Sequence, residues 1–241
     1  MSYEVQLSEG ATYTATDMLR PVESQSLSER IKEAIENDTL NITSAQAEEL
    51  KSILAGSKTK SGTINGHEYV DLGLPSGLKW ATCNVGADSP EDYGDYYAWG
   101  EVETKGMYSE DNSKTYGKSM SDISGKSKYD VARAKWGSSW RLPTGAEFQE
   151  LVDKCKWKWA TQSGKNGYKV TGPNGNSIFL PAAGCCRGLS LDYAGVGGYY
   201  RSSTPYESDD DYAYTLTLGS SFLFVFMGSR DYGSSVRPVL E

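Results

Sequence analysis

The feature that most constrains the fold of this 241-residue chain is a run of six apolar residues close to its C-terminus. Because successive side chains of a β-strand point to opposite faces, one face would carry Phe222, Phe224 and Phe226 and the other Leu223 and Val225. Burial on both faces would make this an ordinary core strand, and that alternative stays open. We predict instead that only the aliphatic face is buried, which leaves three phenylalanines as an exposed patch of the kind that marks a contact surface.

The residues around this run have the composition of a recognition surface. Nine aromatic residues fall between Tyr199 and Tyr232, and they alternate with Ser, Thr, Asp and Gly. Tyrosine and phenylalanine give large, stiff contact areas at low entropic cost, while the small polar residues give adaptable hydrogen bonds. The segment 187–234 is therefore predicted to bind a ligand.

The charge of the chain excludes one large class of partners. Its net charge is −8, from 24 Lys and Arg against 32 Asp and Glu, and nucleic-acid binding needs clustered cations for phosphate contacts. One local cluster of cations is an exception, and it consists of Lys154, Lys156 and Lys158. These lysines alternate with Trp157 and Trp159 along the chain. This alternation favours a solvated strand face over a tryptophan core, so no nucleic-acid partner is predicted.

Residues that could carry out catalysis or hold a metal are sparse. His67 is the single histidine, which argues against a zinc site and against a Ser–His triad. The four cysteines, Cys83, Cys155, Cys185 and Cys186, have the spacing of neither a zinc site nor a secreted disulfide framework. We predict buried free thiols, no metal, no cofactor and no enzymatic activity.

Two other motifs were weighed as ligand sites. The glycines at 195, 197 and 198 lead into a predicted strand at Tyr199 rather than into a helix, so a dinucleotide fingerprint is excluded by its context. The acidic run 207–211 offers carboxylate oxygens of the type that Ca²⁺ prefers. A solvated acidic turn is the favoured interpretation, and calcium binding stays open as the alternative.

The N-terminal quarter of the chain is predicted to be an appendage, residues 1–60. Residues 1–25 have the pattern of an extended arm, and apolar residues at helical spacing predict a helix pair over 26–37 and 43–56. Two short helices cannot form a stable core alone. They either dock on the body or associate with a second copy, and both alternatives remain open. The polar stretch 57–62 is the predicted linker.

The body, residues 61–241, is predicted to be a loop-rich α+β domain. A helix over 146–155 is expected, because Thr144 and Glu147 form a capping box ahead of it. The expected strands and loops are a strand pair at 67–72 and 78–82, a long insertion at 108–128, strands at 156–160, 168–171 and 177–180, a glycine-rich loop at 184–198, a hairpin of 212–218 with 222–227, and a closing strand at 235–240. No apolar run has transmembrane length and the start is polar, so we expect neither membrane insertion nor a signal peptide.

Several ordered motifs between residues 65 and 241 resemble the Fibrobacter succinogenes major paralogous domain family. They are the stretch from Asn65 to Thr82, Tyr97-Ala98-Trp99-Gly100-Glu101, Trp140-Arg141-Leu142-Pro143-Thr144, Leu180-Pro181-Ala182-Ala183-Gly184 and Ser235-Val236-Arg237-Pro238-Val239. The resemblance implies a C-type lectin fold of the formylglycine-generating-enzyme type, in which the Arg-Leu-Pro-Thr element opens a core helix.

Within that family, residues 185–234 resemble the variable segment of diversity-generating retroelement proteins. Such systems rewrite adenines, usually in AAC or AAT codons, and diversify outward side chains on a fixed frame. The resemblance implies that the fixed positions are Leu216, Leu218, Leu223, Val225, Arg230, Gly233 and Val236. It implies that the varied, ligand-binding positions are Arg187, Asp192, Tyr193, Val196, Arg201, Thr215, Thr217, Phe222, Phe224, Phe226, Ser229 and Tyr232. Met227 cannot be reached from those codons and lies outside the varied set.

The function implied is recognition of a protein or glycan on a cell surface, by a phage or prophage receptor-binding protein or by a bacterial adhesin. The expected location is a virion or a cell surface, with residues 1–60 serving attachment or oligomerisation. An enzyme of the formylglycine-generating type is one alternative, but that group uses a spaced cysteine pair, whereas Cys185 and Cys186 are adjacent. A structural surface module without a specific ligand is the other.

Overall fold

The computed structural model describes residues 4–6, 12–14, 34, 37 and 61–240. The chain divides into two compact units, Met1–Lys58 and Thr59–Glu241.

In the first unit, strands β1 (Glu4–Gln6) and β2 (Thr12–Thr14) pair antiparallel. Two segments of the expected extended arm thus lie side by side and pair through backbone hydrogen bonds. Ala34 is helical and Asn37 lies in a turn. The remainder of the predicted helix pair, 26–37 and 43–56, lies outside the described residues.

The second unit begins and ends in one five-stranded sheet. Its strands are β3 (Gly62–Ile64), β4 (His67–Asp71), β5 (Lys79–Ala81), β15 (Val239–Leu240) and β6 (Trp140–Arg141), in that spatial order. The last strand therefore lies between β5 and β6. The predicted closing strand at 235–240 is shorter than expected, because Ser235 makes an isolated parallel bridge to Tyr200 instead.

A three-stranded antiparallel meander follows, β7 (Lys156–Gln162), β8 (Lys165–Thr171) and β9 (Ser177–Pro181). On β7, Lys156 and Lys158 are exposed while Trp157 and Trp159 are half-buried. Both tryptophan rings contact Tyr168 edge-on, with ring centroids 5.5 and 5.1 Å away. The alternation predicted for the lysine group is confirmed.

Two α-helices begin at side-chain caps. Helix α1 (Val131–Trp136) is capped by Asp130, whose carboxylate accepts from the Arg133 amide. Helix α2 (Gly145–Lys154) begins one residue earlier than predicted, behind the expected capping box of Thr144 and Glu147. Both caps satisfy amide donors that a helix start leaves without partners.

The C-terminal part of the chain forms a hairpin and a three-stranded sheet. The predicted glycine-rich loop 184–198 contains strands β10 (Cys185–Arg187) and β11 (Ser190–Asp192), which pair antiparallel around Gly188. Gly188 has φ +58°, a conformation that glycine adopts without strain and that tightens the turn. The sheet is β12 (Gly197–Pro205), β13 (Tyr212–Gly219) and β14 (Phe222–Ser229), with β13 in the middle.

Two apolar clusters hold the second unit together. One joins α2 and the meander to β12–β14 around Phe148, Tyr168 and Leu216. The other packs α1 and the segment 85–99 around Trp99 and Trp140. The expected insertion 108–128 takes part, since Tyr108, Thr115 and Ile123 are buried, although its one short helix, Glu110–Asn112, has no buried residue.

The described residues form a strand-rich, loop-rich structure with few helices, so the expected mixed α and β class is confirmed at that level. None of the helices in the described ranges is long and apolar enough to cross a bilayer.

Candidate ligand-binding face

The sheet β12–β14 has a core face built from rows of apolar side chains. Residues opposite each other on paired strands point to the same side, and the register aligns Tyr200, Leu216 and Val225 across the three strands. Leu216 and its neighbour Leu218 are fully buried. Val225 and Leu223 are only half-buried against the core. The prediction that they are buried is too strong, because β14 is the edge strand of its sheet.

The opposite face of the same sheet carries the phenylalanines. Phe222, Phe224 and Phe226 are 42, 46 and 49% exposed, which confirms the predicted sidedness of β14. Phe224 completes a row with Thr217 and Tyr199. We call the outward side of β12–β14, with the β10–β11 hairpin and the loop 229–232 beside it, the display face.

The three exposed phenylalanines follow one edge of the display face, and we call them the aromatic band. The rings of Phe222 and Phe224 lie 5.9 Å apart. At the other end, the Phe226 ring lies 6.2 Å from that of Tyr206. Offset and edge-to-face arrangements of this kind hold ring positions. The band is therefore an ordered surface that offers several aromatic rings to solvent.

A cavity of about 400 Å³ opens on the display face beside the aromatic band. Its walls come from the sheet, the β10–β11 hairpin, the loop after β14 and the segment 110–116. The positions predicted to vary that line it are Arg187, Asp192, Tyr193, Arg201, Thr215, Thr217, Ser229 and Tyr232. The other four predicted positions, Val196 and the three phenylalanines, are exposed. The fold thus brings the predicted site residues to one side of the unit.

Two of the predicted site residues are almost completely buried. Arg201 and Thr215 are each only 2% exposed. They are cross-strand neighbours in the inner part of the sheet, and the loop 229–232 lies over the arginine, whose Nη2 donates to the Ser229 and Tyr232 carbonyls. Thr215 is thereby part of the supporting floor rather than an open contact position, which corrects its predicted exposure.

Sequence reasoning missed several residues that line the cavity. Glu110 and Tyr116 come from the segment predicted as an insertion, and Tyr199 and Tyr212 come from β12 and β13. Tyr199 and Tyr212 belong to the aromatic enrichment between residues 199 and 232, but nothing in the local pattern placed them at one site with Tyr116. Their convergence depends on long-range packing.

The rim of the cavity carries a charged pair. Arg187 Nε lies 3.6 Å from Asp192 Oδ2, with both side chains partly exposed, and the guanidinium sits 5.7 Å from the Tyr232 ring centroid. The pKa of Arg187 is raised by Tyr232 and Asp192, so the rim keeps its positive charge. An exposed pair of this kind contributes little to stability and leaves both groups available to a ligand.

The predicted fixed positions Arg230, Gly233 and Val236 are buried. Arg230 donates from Nε to the Tyr212 carbonyl at 2.8 Å and from Nη1 to the Lys118 carbonyl at 2.7 Å. A Cβ on Gly233 would lie 2.8 Å from the Tyr108 ring. Arg230 and Gly233 thus pack the chain after β14 against the segment 108–118. Substitution of either residue would break a buried hydrogen bond or create a steric clash.

His67 and the four cysteines are further residues that could carry out chemistry, and Cys185 among them lines the cavity. The His67 ring stacks on Trp136 at 3.7 Å, and burial lowers its pKa. All four cysteines are free, as predicted, but Cys185 alone among them is buried and the other three are half-buried, so the prediction that all four thiols are buried is wrong. Burial raises the pKa of Cys155 and of Cys185 to about 11. Within the described ranges, no cluster of three or more His, Cys, Asp or Glu side chains is arranged to hold a metal ion.

Side chains of the acidic run 207–211 form hydrogen bonds and an ion pair within the protein. Glu207 accepts from the Tyr214 hydroxyl at 2.9 Å, Asp209 accepts from the Asp211 amide at 3.0 Å, and Asp210 lies 3.9 Å from Arg230. These contacts spread the carboxylates over different partners, which agrees with the favoured interpretation of an acidic turn.

The chain was compared with family models, with curated proteins and with solved structures, and nothing in any of the three comparisons matches it.

Proposed function

We propose that this chain is a ligand-binding protein whose display face recognises a protein or glycan on a cell surface. The observation that carries the proposal is the sidedness of β14, whose phenylalanines are nearly half exposed while the opposite face packs on the core. Monomeric proteins rarely expose contiguous aromatic patches without a contact to make. The band also lies beside a cavity, and aromatic groups next to a concavity are common at recognition sites.

The division of labour within the sheet supports diversification of that face. Fixed positions of the proposed frame, such as Leu216, Arg230 and Val236, are fully or almost fully buried, whereas most proposed varied positions are exposed or line the cavity. Side chains can change on such a face with little loss of stability, because surface substitutions cost within about ±0.5 kcal/mol. We therefore propose a retroelement variable protein with a C-type lectin fold of the formylglycine-generating-enzyme type.

The proposal places the protein on a virion or a cell surface, as a phage or prophage receptor-binding protein or a bacterial adhesin. Residues 1–60 would attach the binding domain or associate with a second copy. This part of the proposal rests on the sequence resemblance and on the compact N-terminal unit Met1–Lys58.

The enzyme alternative has weaker support. Cysteine nucleophiles act as thiolates, and reactive cysteines have lowered pKa values. Here burial raises the pKa of Cys185 to about 11 and also raises that of Cys186. The structural-module alternative does not account for the exposed aromatic band.

Binding to an array of bacterial surface glycans and proteins, with the full chain as labelled probe, tests the proposed function. Phe224→Ala should lose at least about tenfold in affinity for any ligand identified, since a few aromatic anchors carry most interface energy. Lys158→Ala, on the exposed side of the β7–β9 meander, is the matched control and should bind like the wild type. Equal binding by both variants would contradict the proposed face.

The proposed diversification has its own test in the DNA around the coding sequence. A reverse-transcriptase gene should lie nearby, with a near-copy of the 3′ end that differs at adenines. Substitutions between the two copies should fall on the codons of the display face and spare those of Leu216, Leu218 and Val236. Differences scattered over both sets would contradict this part of the proposal.

A further inference from the structure

The floor of the display-face cavity is a buried cation. Arg201 lines the cavity and is 2% exposed, and no side chain of the described residues forms an ion pair with it. Burial lowers its pKa to about 10, so the guanidinium remains charged at neutral pH. The charge of Asp231 acts to raise the pKa of Arg201 but forms no ion pair with it, and a buried charge with no ion-pair partner is costly. This raises the question of what else balances the guanidinium.

The hydrogen bonds of Arg201 leave part of the guanidinium unused. Its five N–H groups include two on Nη2, which donate to the Ser229 and Tyr232 carbonyls, both at 2.6 Å. Nη1 reaches Thr215 Oγ1 only at 3.5 Å, and Nε is buried with no hydrogen-bond partner. The side chain is therefore held in place by two carbonyls while two of its three nitrogens remain poorly satisfied.

A second buried arginine shows what full satisfaction looks like in this protein. Arg237 donates from Nε to Asn84 Oδ1 at 2.9 Å, from Nη1 to the Ala81 carbonyl at 3.0 Å and from Nη2 to the Phe179 carbonyl at 2.9 Å. All three of its nitrogens have partners, as expected of an arginine with a purely structural role. Arg230 also has a nitrogen without a hydrogen bond, Nη2, but that atom lies 3.9 Å from the Asp210 carboxylate. Arg201 differs from both in lining the cavity and in having an unpartnered Nε and no ion pair within the described residues.

The walls of the cavity suit a sugar ring. Tyr116, Tyr193, Tyr199, Tyr212 and Tyr232 line it, and tyrosine offers an apolar ring face together with a hydroxyl that donates and accepts. The volume of about 400 Å³ lies near the lower end of the range for small-molecule sites. Such a concavity fits one terminal unit of a saccharide better than an extended peptide, which would lie along a strand edge.

We propose that this cavity binds a carboxylate-bearing saccharide unit, with Arg201 as the residue that recognises the carboxylate and Arg187 at the rim as its second cation. Both Nη2 hydrogens donate to the Ser229 and Tyr232 carbonyls, so the carboxylate accepts one charge-assisted hydrogen bond from Nη1 or Nε, and such a bond is stronger than a neutral one. The inference rests on the proposed function and narrows its ligand to acidic sugars, such as uronic or sialic acids.

The test compares glucuronic acid and N-acetylneuraminic acid with their methyl esters as ligands of the full chain, measured by ligand-observed NMR and calorimetry. At least one acid should bind about tenfold or more tightly than its ester, the order of effect expected for a charge-assisted hydrogen bond. Arg201→Gln should remove that preference. Arg187→Gln should weaken binding less, because its charge is exposed.

Arg201→Gln is informative only if it folds, so its circular dichroism and unfolding midpoint are measured first. If it does not fold, the acid-to-ester ratio of the wild type decides alone. Equal binding of acid and ester, or no binding of either acid, overturns the inference. Tighter binding of a Glu-rich peptide than of both sugars overturns the saccharide class. If the acids fail while an array ligand is still lost in Phe224→Ala, the inference fails and the proposed function stands.

Discussion

The core face and the display face of β12–β14 belong to the same three strands but differ in how deeply their side chains are buried. On the core face, Leu216 and Leu218 are fully buried and one side chain fits each position. On the display face of the neighbouring strand β14, Phe224 and Phe226 remain almost half exposed. The difference teaches that a β-sheet separates stability from recognition by alternation alone, since neighbouring residues of one strand serve opposite roles. The predictions below test how complete that separation is.

The largest effect is expected on the core face. Leu216→Ala removes a fully buried side chain and leaves a cavity, which costs about 2–5 kcal/mol of unfolding free energy. Urea unfolding followed by tryptophan fluorescence measures it. A loss below about 1 kcal/mol would mean that this face is not the rigid frame described.

Thr215 should break the simple division between the two faces. Although it points to the display side, it is 2% exposed and lies close to Gly228, where an added Cβ would fall 2.6 Å from Thr215 Oγ1. Thr215→Asn should therefore cost about 1–3 kcal/mol through overpacking. Thermal and urea unfolding measure this, and an unchanged midpoint would restore Thr215 to the freely variable set.

Helix α2 supports the core face, and its cap should make that support pH-dependent. Burial opposes ionisation of Glu147, but hydrogen bonds from Arg141 and Thr144 outweigh it and lower the pKa of the carboxyl. A carboxyl whose pKa is lower in the folded than in the unfolded state stabilises the protein fully when the pH lies above the unfolded-state pKa. This contribution disappears as the pH falls through the folded-state pKa. Glu147→Gln should cost about 0.5–2 kcal/mol at neutral pH and less in acid. A difference that grows in acid would refute the assignment.

The smallest effect is expected at the partly exposed display position Thr217. Thr217→Asn should change the unfolding free energy within about ±0.5 kcal/mol, which makes it the matched partner of Thr215→Asn on the same strand. Chemical denaturation of both variants side by side measures the contrast. Equal losses of unfolding free energy in Thr215→Asn and Thr217→Asn would show that burial does not decide which positions of the display face tolerate substitution.

The sequence predicted those parts of the fold that depend on local rules. The capping box at Thr144, the β13–β14 hairpin and the outward phenylalanines follow from period and turn chemistry, and all three are observed. Local rules did not predict that β15 lies between β5 and β6, or that the glycine-rich loop 184–198 contains a hairpin. The position of β15 comes from long-range pairing, which short-range patterns cannot predict. The β10–β11 hairpin is local, but its three-residue strands are too short to show an alternating pattern.

The candidate site was predictable to a similar extent. Alternation identified Phe222, Phe224 and Phe226 as outward. The family resemblance assigned Thr215 to the varied set, although the fold covers that side chain. The burial of Arg201 depends on the loop 229–232, whose carbonyls accept its hydrogen bonds. The contribution of Tyr116 to the cavity depends on where the segment before α1 folds. None of these is visible from neighbours in sequence.

The central claim, that the two faces separate stability from recognition, is tested most directly by measuring unfolding midpoint and ligand binding together for Leu216→Ala and Phe224→Ala. The account predicts that Phe224→Ala loses less than about 1 kcal/mol of unfolding free energy but at least about tenfold in affinity. Leu216→Ala should lose about 2–5 kcal/mol and bind normally wherever it remains folded. If Phe224→Ala unfolds as readily as Leu216→Ala, or binds as tightly as the wild type, the display face is not a recognition surface.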